Sequence, residues 1–183
     1  LEAGEEHAIQ PLGLDAMDFA RIEAGFVLQG IDYVSSRSCL IDARRSTPED
    51  SGLGWTVNLD REGWIGREAL LRGREKGPRW NLVGLELDWA EIEDLHAEYD
   101  LPPHLAPCAC REAVPVYLAS GEQVGQATSS TWSPTLKKSL ALAQVHRRHT
   151  SVGTKLQIEY TVEFERRRVT ATIVERPFFD PPR

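Results

Sequence analysis

The run GEQVGQATSSTWSPTLKKSLALAQV, residues 121–145, decides how the chain is read. A turn at Gly121 opens onto a strand around Val124, and Leu140 and Leu142 recur at the two-residue spacing of a strand with one buried face. The same texture extends both ways. Val83, Leu85, Leu87 and then Val114, Val116, Leu118 precede it; Leu156, Ile158, Tyr160 and then Val169, Ala171, Ile173 follow it. The last two sets are spaced as a hairpin across a basic tip at Arg166, Arg167 and Arg168. About five or six strands at this spacing predict a small barrel or a sandwich.

Upstream of Pro78 the pattern changes. Leu14 to Gly25 reads as a helix, with Asp15 as cap, Asp18 in the first turn, Leu14, Met17, Ala20 and Ala24 at helical spacing, and Gly25 as the stop. Phe26 to Ser51 reads as a polar loop bearing Arg37, Arg44 and Arg45, with a short strand around Cys39 to Ile41. Trp55, Val57 and Leu59 alternate as a strand, and Arg67 to Lys76 form a short helix ended by Gly77 and Pro78. Within the second half, Trp89 to Tyr99 is an acidic helical insert followed by a stiff LPPHLAP connector. The boundary between the two textures falls at Gly77 to Arg79.

With 183 residues, 41% hydrophobic and 27% charged, the chain has the balance of a globular protein and not of a disordered one. Its net charge of −7 argues against a nucleic-acid surface, and no uninterrupted apolar run is long enough for a membrane helix. Cys39, Cys108 and Cys110 make an odd count without a paired framework, which suits a reducing, cytoplasmic setting. Cys108-Ala109-Cys110 lacks the second half of a zinc ligand set, so no metal is expected. His146 and His149 among Arg147 and Arg148 read as a solvated turn. No phosphate loop, nucleophile elbow or zinc-protease motif appears.

Two residues invite a functional reading. Glu23 stands near the C-terminal end of its helix, where the macrodipole disfavours a carboxylate. The bland reading is a surface Glu beside Arg21; the functional one is an acceptor for two parallel N–H donors, such as those of a pterin ring. Arg61, at a turn, is either a solvated charge or a guanidinium that meets a carboxylate or carbonyl on a ligand.

GLDAMDFARIEAGFVLQG from Gly13, SGLGWTVNLDREGWIGREALL from Ser51, VGLEL from Val83, the 121–145 run and PFF at Pro177 together resemble the C-terminal half of the aminomethyltransferase family, which includes the glycine cleavage T-protein. The resemblance implies an α+β fold: a partial α/β layer of the folate-binding T-protein fold over residues 1–77, then a C-terminal antiparallel β-barrel domain over 79–183. It also implies tetrahydrofolate as cofactor and one-carbon transfer from an aminomethyl or methyl donor. Glu23 takes the place of the family Glu that contacts the pterin, and Arg61 that of a basic residue that meets folate in some members. The family's catalytic aspartate lies upstream of the Arg21-Ile22-Glu23 run and has no counterpart here, so no catalytic residue is assigned and the chain alone is expected to be inactive. Asp32 and Asp42 are the acidic residues to examine if it is active.

Leu1 in place of Met reads as a cut polypeptide. The N-terminal half of that polypeptide is the implied partner, together with a lipoyl carrier protein. Unpaired strands near Trp55 would promote self-association. Two departures stand out: Thr128-Ser129-Ser130 replaces the usual TSG, which would put a serine at a φ > 0 position, and IDYVSSRSCLIDARRS, residues 31–46, is an insert beside the expected ligand. The insert favours a related N-, S- or O-demethylase. Other readings are a noncatalytic folate-binding relative and a barrel interaction module with no small ligand.

Overall fold

The computed structural model describes residues 2–41 and 44–182. Six strands, β1 (Trp80–Leu87), β2 (Val114–Tyr117), β3 (Gln123–Ser133), β4 (Lys138–His146), β5 (Lys155–Val162) and β6 (Glu165–Val174), close into one antiparallel barrel in the order β1-β4-β3-β2-β5-β6. β1 closes the circle, with Gly84 opposite Leu142 of β4 on one side and Val174 of β6 on the other. Closure leaves no long edge to template association. The barrel named by the resemblance, rather than the sandwich the strand pattern also allowed, is the observed architecture.

The interior is filled by Leu85, Val116, Val145, Leu156, Val169 and Ile173, spaced by the small Ala127, Ala141, Ala143 and Ala171. In β4 these inward residues are the alanines. Leu140 and Leu142, the pair whose spacing marked the strand, point outward and pack with Ile22, Leu82, Val27 and Phe178. SLALAQV is therefore apolar on both faces because β4 is covered on both, by the barrel interior and by the first helix with the C-terminal tail.

That helix, α1 (Leu14–Glu23), does not use its expected apolar stripe. Leu14 and Met17 are exposed, and the side that meets the barrel carries Asp18, Ile22 and Glu23. Gly13 rather than Asp15 precedes its first turn, with no side-chain cap, while Gly25 at φ 71° makes the expected stop. α2 (Arg67–Lys76) lies where expected, and α3 (Trp89–Ala97) ends two residues before Tyr99. Asp88 caps α3 by accepting from the Ala90 and Glu91 backbone N–H groups.

The Trp55–Leu59 strand is a correction. Gly54–Thr56 form a 3₁₀ turn in which Thr56 N–H and Val57 N–H bond back to Leu53 and Gly54, so these donors serve a local turn instead of a ladder. Cys39 to Ile41 likewise bend locally, the Cys39 thiol reaching Ile41 O at 3.0 Å. Among the described residues before Trp80 the only β pairing is an isolated bridge, Gln29 with Tyr33, so the expected unpaired edge near Trp55 is absent. The β5–β6 turn is at Glu163 and Phe164, both at positive φ, and Arg166 to Arg168 sit within β6 opposite Thr161, Tyr160 and Glu159. Two left-handed residues suffice to close a hairpin, which leaves the arginines in the ladder.

The C-terminal tail folds back over β1. A side chain at Gly84 would strike the Phe178 ring at 2.7 Å, so glycine is required for this cover. Phe179 N–H donates to Glu23 O at 3.0 Å, and Arg176 Nη2 donates to Leu82 O at 3.0 Å.

Candidate functional site

Glu23 is 7% exposed at the end of α1. The Ser133 hydroxyl, at the end of β3, donates to Glu23 Oε1 at 2.5 Å, and Ser133 Oγ in turn accepts from Leu136 N–H. These bonds, and not a surface ion pair with Arg21, are what hold a carboxylate at an unfavourable helix end. Among the described residues Glu23 Oε2 has no hydrogen-bond partner and no sealed side-chain oxygen is left unpaired, so this oxygen reaches solvent. One oxygen is thus fixed and the other is available to accept.

Arg21 instead lies between two acids. Its Nε donates to Asp18 Oδ1 at 2.6 Å, Nη1 to Asp32 Oδ2 at 2.7 Å and Nη2 to Ser129 Oγ at 2.8 Å. Arg111 closes the other side of Asp18 at 2.8 Å. Burial alone would raise the Asp18 pKa, but hydrogen bonds and charge from Arg21 and Arg111 outweigh it and hold the carboxyl below its ordinary range. Asp32, 1% exposed, accepts from Thr128 and Ser129 hydroxyls on Oδ1 and from Arg21 and Leu28 N–H on Oδ2. With both oxygens engaged it is a structural anchor, not a free base. Asp42 lies outside the described residues.

A β-bulge makes this anchor. Between Ala127 and Ser129 the β3–β4 register shifts, adding Thr128 to the strand and turning two successive hydroxyls toward Asp32. Ser130 then continues in β3, exchanging hydrogen bonds with Cys110 at 2.8 and 3.0 Å. The expected φ > 0 at the third residue of Thr128-Ser129-Ser130 is not present; the bulge performs the local change of course.

Arg61 is exposed in a turn, its backbone N–H donating to Asn58 Oδ1 and its carbonyl accepting from Trp64 Nε1. No hydrogen bond or ion pair among the described residues joins it to Glu23. The structure joins Glu23 to Ser133, and the hydrogen bonds of Arg61 are local to its turn. A cleft of about 480 Å³ opens between the 31–46 insert and the barrel wall, lined by Tyr33, Arg44, Ser46, Trp80, Gln126 and Gln144 among others. Glu23 is not among its lining residues.

The unforeseen members are Arg21, Asp18, Arg111, Ser129, Ser133 and Arg176. Arg176 is half-buried, donates to the carbonyls of Gly25 and Leu82 and to no carboxylate among the described residues, and has its affinity for a proton lowered by burial. Ser133 lies 110 residues from Glu23, and Ser129 lies 108 from Arg21 and 97 from Asp32, so no local spacing marks them.

Comparison with known proteins agrees with the barrel fold. A family model described as the glycine cleavage T-protein C-terminal barrel domain matches residues 81–180. An aminomethyltransferase of Synechococcus sp. (strain CC9902) is 36% identical over 178 residues, which is 97% of this chain and 40% of the relative. A trimethylamine-oxide aldolase of Ruegeria pomeroyi is 36% identical over 182 residues, 98% of this chain and 19% of the relative. The crystal structure of glycine cleavage system aminomethyltransferase T from Bartonella henselae superposes with a TM-score of 0.71 at 22% identity, covering 96% of this chain and 41% of that one. The chain spans about 40% of the length of the curated aminomethyltransferases it matches. By the matched barrel and these relatives, the chain belongs to the aminomethyltransferase family and corresponds to its C-terminal part.

Proposed function

We propose that this chain supplies one wall of a tetrahydrofolate site in a one-carbon transferase, with Glu23 receiving the pterin. The observation that carries the reading is the Glu23 carboxylate: Oε1 is fixed by Ser133 while Oε2 is open to a donor. Such an acceptor fits a ring that presents adjacent N–H groups, and its position is set before any ligand arrives. Tetrahydrofolate, when bound, supplies the nitrogen that takes up the one-carbon unit. The chain's own residues bind and orient: Ser133 keeps the Glu23 rotamer, and the Phe179 contact with Glu23 O ties the helix end to the tail. Arg61, exposed in its turn, is assigned a contact with the outer part of the ligand.

The donor-orienting carboxylate is assigned to the polypeptide that precedes this region in the longer relatives. Asp32 is unsuited to that role because four donors already occupy it. The apolar side chains exposed before the barrel, including Leu12, Leu14, Phe26 and Trp55, are the surface we assign to that N-terminal half. In its absence the same surface promotes self-association. A lipoyl carrier protein is the donor-bearing partner in this reading, and the cytoplasm its setting. A second reading, transfer from a methylated amine, sulfonium or methoxy donor, is favoured by the 31–46 insert and the cleft it walls.

The test supplies the purified chain with tetrahydrofolate and, in separate reactions, an aminomethyl-lipoyl carrier and methylated donors, and assays methylene- and methyltetrahydrofolate. We expect weak binding, of millimolar order, and no turnover, because alignment of reactants is worth ~10⁵ to 10⁸ M in effective concentration and part of the site is absent. Turnover by the 183-residue chain would place the catalytic group within it.

A further inference from the structure

We propose that the end of the barrel where β1 begins and β4 ends is a binding face for a small multivalent anion carrying phosphate or carboxylate groups. The strand register makes the cluster. Trp80 is paired with His146, and Arg147 N–H donates to Arg79 O at 3.2 Å, so residues 65 or more positions apart in sequence stand side by side. A 3₁₀ turn, Arg147–His149, then presents Arg147, Arg148 and His149 beside Arg79 and Lys76. Read along the sequence, His146 to His149 look like a solvated turn; the fold adds Arg79, Trp80 and the end of α2 to them.

The face is arranged in advance. Arg147 Nη1 donates to Lys76 O at 2.9 Å, which fixes that guanidinium against the C-terminus of α2. The Arg79 guanidinium lies over the Trp80 ring at 5.2 Å, and His146 meets the same ring edge-on at 5.9 Å. His149 stacks at a tilt against His146, their centroids 6.3 Å apart. Order of this kind lowers the entropy lost when an anion is gripped.

The cations are not neutralised from within. Among the described residues, Arg79, Arg147, Arg148 and the two histidines form no ion pair with Asp or Glu. The nearest acids look elsewhere. Asp50 Oδ1 accepts from the Arg79 and Trp80 backbone N–H groups and its Oδ2 from Thr47, while Glu49 faces Arg74. Partial burial first, and then the charges of Arg148, His149, Arg147 and Arg79, push the His146 imidazole below its ordinary pKa. On a chain of net charge −7 such a concentration is an attractive focus for a compact anion, while the acidic remainder repels an extended polyanion. Arginine forks match phosphate and carboxylate oxygens alike.

Inorganic tripolyphosphate and tricarballylate are the probes, titrated calorimetrically into the chain at low ionic strength and pH 6, with the His146 and His149 ring signals followed by NMR. We expect saturable one-to-one binding and an upward move of the His146 midpoint when the anion is present. Arg79→Gln with Arg148→Gln should weaken binding by roughly tenfold or more, since two charge-assisted contacts are lost. Neither side chain donates a hydrogen bond to another of the described residues, so the variant should keep its thermal midpoint. Binding of both anions assigns the face to the shared chemistry, and binding of tripolyphosphate alone assigns it to phosphate. Unchanged affinity in the double variant, or no saturable binding of either probe, overturns the proposal.

Discussion

In the barrel, Leu85, Val116, Val145 and Ile173 are sealed within a closed hydrogen-bonded ladder; before Trp80 the ladder is missing and the sealed side chains include Asp18, Glu23, Asp32 and Asp50. The first region is held by apolar volume and backbone pairing, which tolerate much local change. The second is held by a few charged and hydroxyl groups whose value depends on every partner being present. Most of the large exposed apolar side chains, from Ile9 to Ile65, also belong to the earlier region. Its polar pins attach it to the barrel without covering its own surface.

The strongest way to break that contrast is Arg21→Met. It removes the centre of the Asp18–Arg21–Asp32 network, leaving buried Asp32 without its cation and Asp18 with Arg111 alone, so we expect a loss of about 3 to 5 kcal/mol in α1 docking. Hydrogen exchange should show early opening of residues 14–32 with β-strand protection retained. Simultaneous loss of both would show that the two regions are one cooperative unit. Leu85→Ala probes the other side of the comparison. This fully buried interior residue should cost about 2 to 5 kcal/mol and lower the denaturant midpoint of the whole barrel, with no selective release of α1.

Acid should separate the regions next. The folded pKa of Asp18 is lowered, so its contribution is complete above an unfolded value of about 4 and is lost as pH falls through the folded value. Between pH 5 and pH 2, α1 signals should therefore shift before those of the barrel interior; the reverse order would contradict the polar-pin explanation. The smallest effect is expected from Asp88→Ala. Loss of the cap on α3 should cost about 1 kcal/mol, measurable as local exchange at Ala90 and Glu91, and leave α1 unaffected.

The strand pattern carried the barrel because the residues that face its interior recur at period two, as in Val83-Leu85-Leu87 and Leu156-Ile158-Tyr160. It misled at Trp55-Val57-Leu59, where glycines on either side of Leu53 favour a turn that satisfies its own donors. It did not show which face of β4 lies inside the barrel, since leucine and alanine are both buried there and size, not polarity, separates inside from outside. Glu23 was legible through its motif and its odd helix position. Its partner Ser133, and the Thr128–Ser129 bulge that seals Asp32, were not, because hydroxyls gain their meaning only from what the fold places opposite them.

The most direct test of the Glu23 assignment is tetrahydrofolate affinity in Glu23→Gln against the unaltered protein. The amide oxygen can keep the Ser133 hydrogen bond, so folding should hardly change, while the open position becomes an N–H₂ group facing the ligand's own donors. We expect affinity to fall by ~1 to 3 kcal/mol, roughly fivefold to 150-fold, with an unchanged thermal midpoint. Equal affinities for the two proteins would remove Glu23 from the folate site and, with it, the reading of this chain as a folate wall.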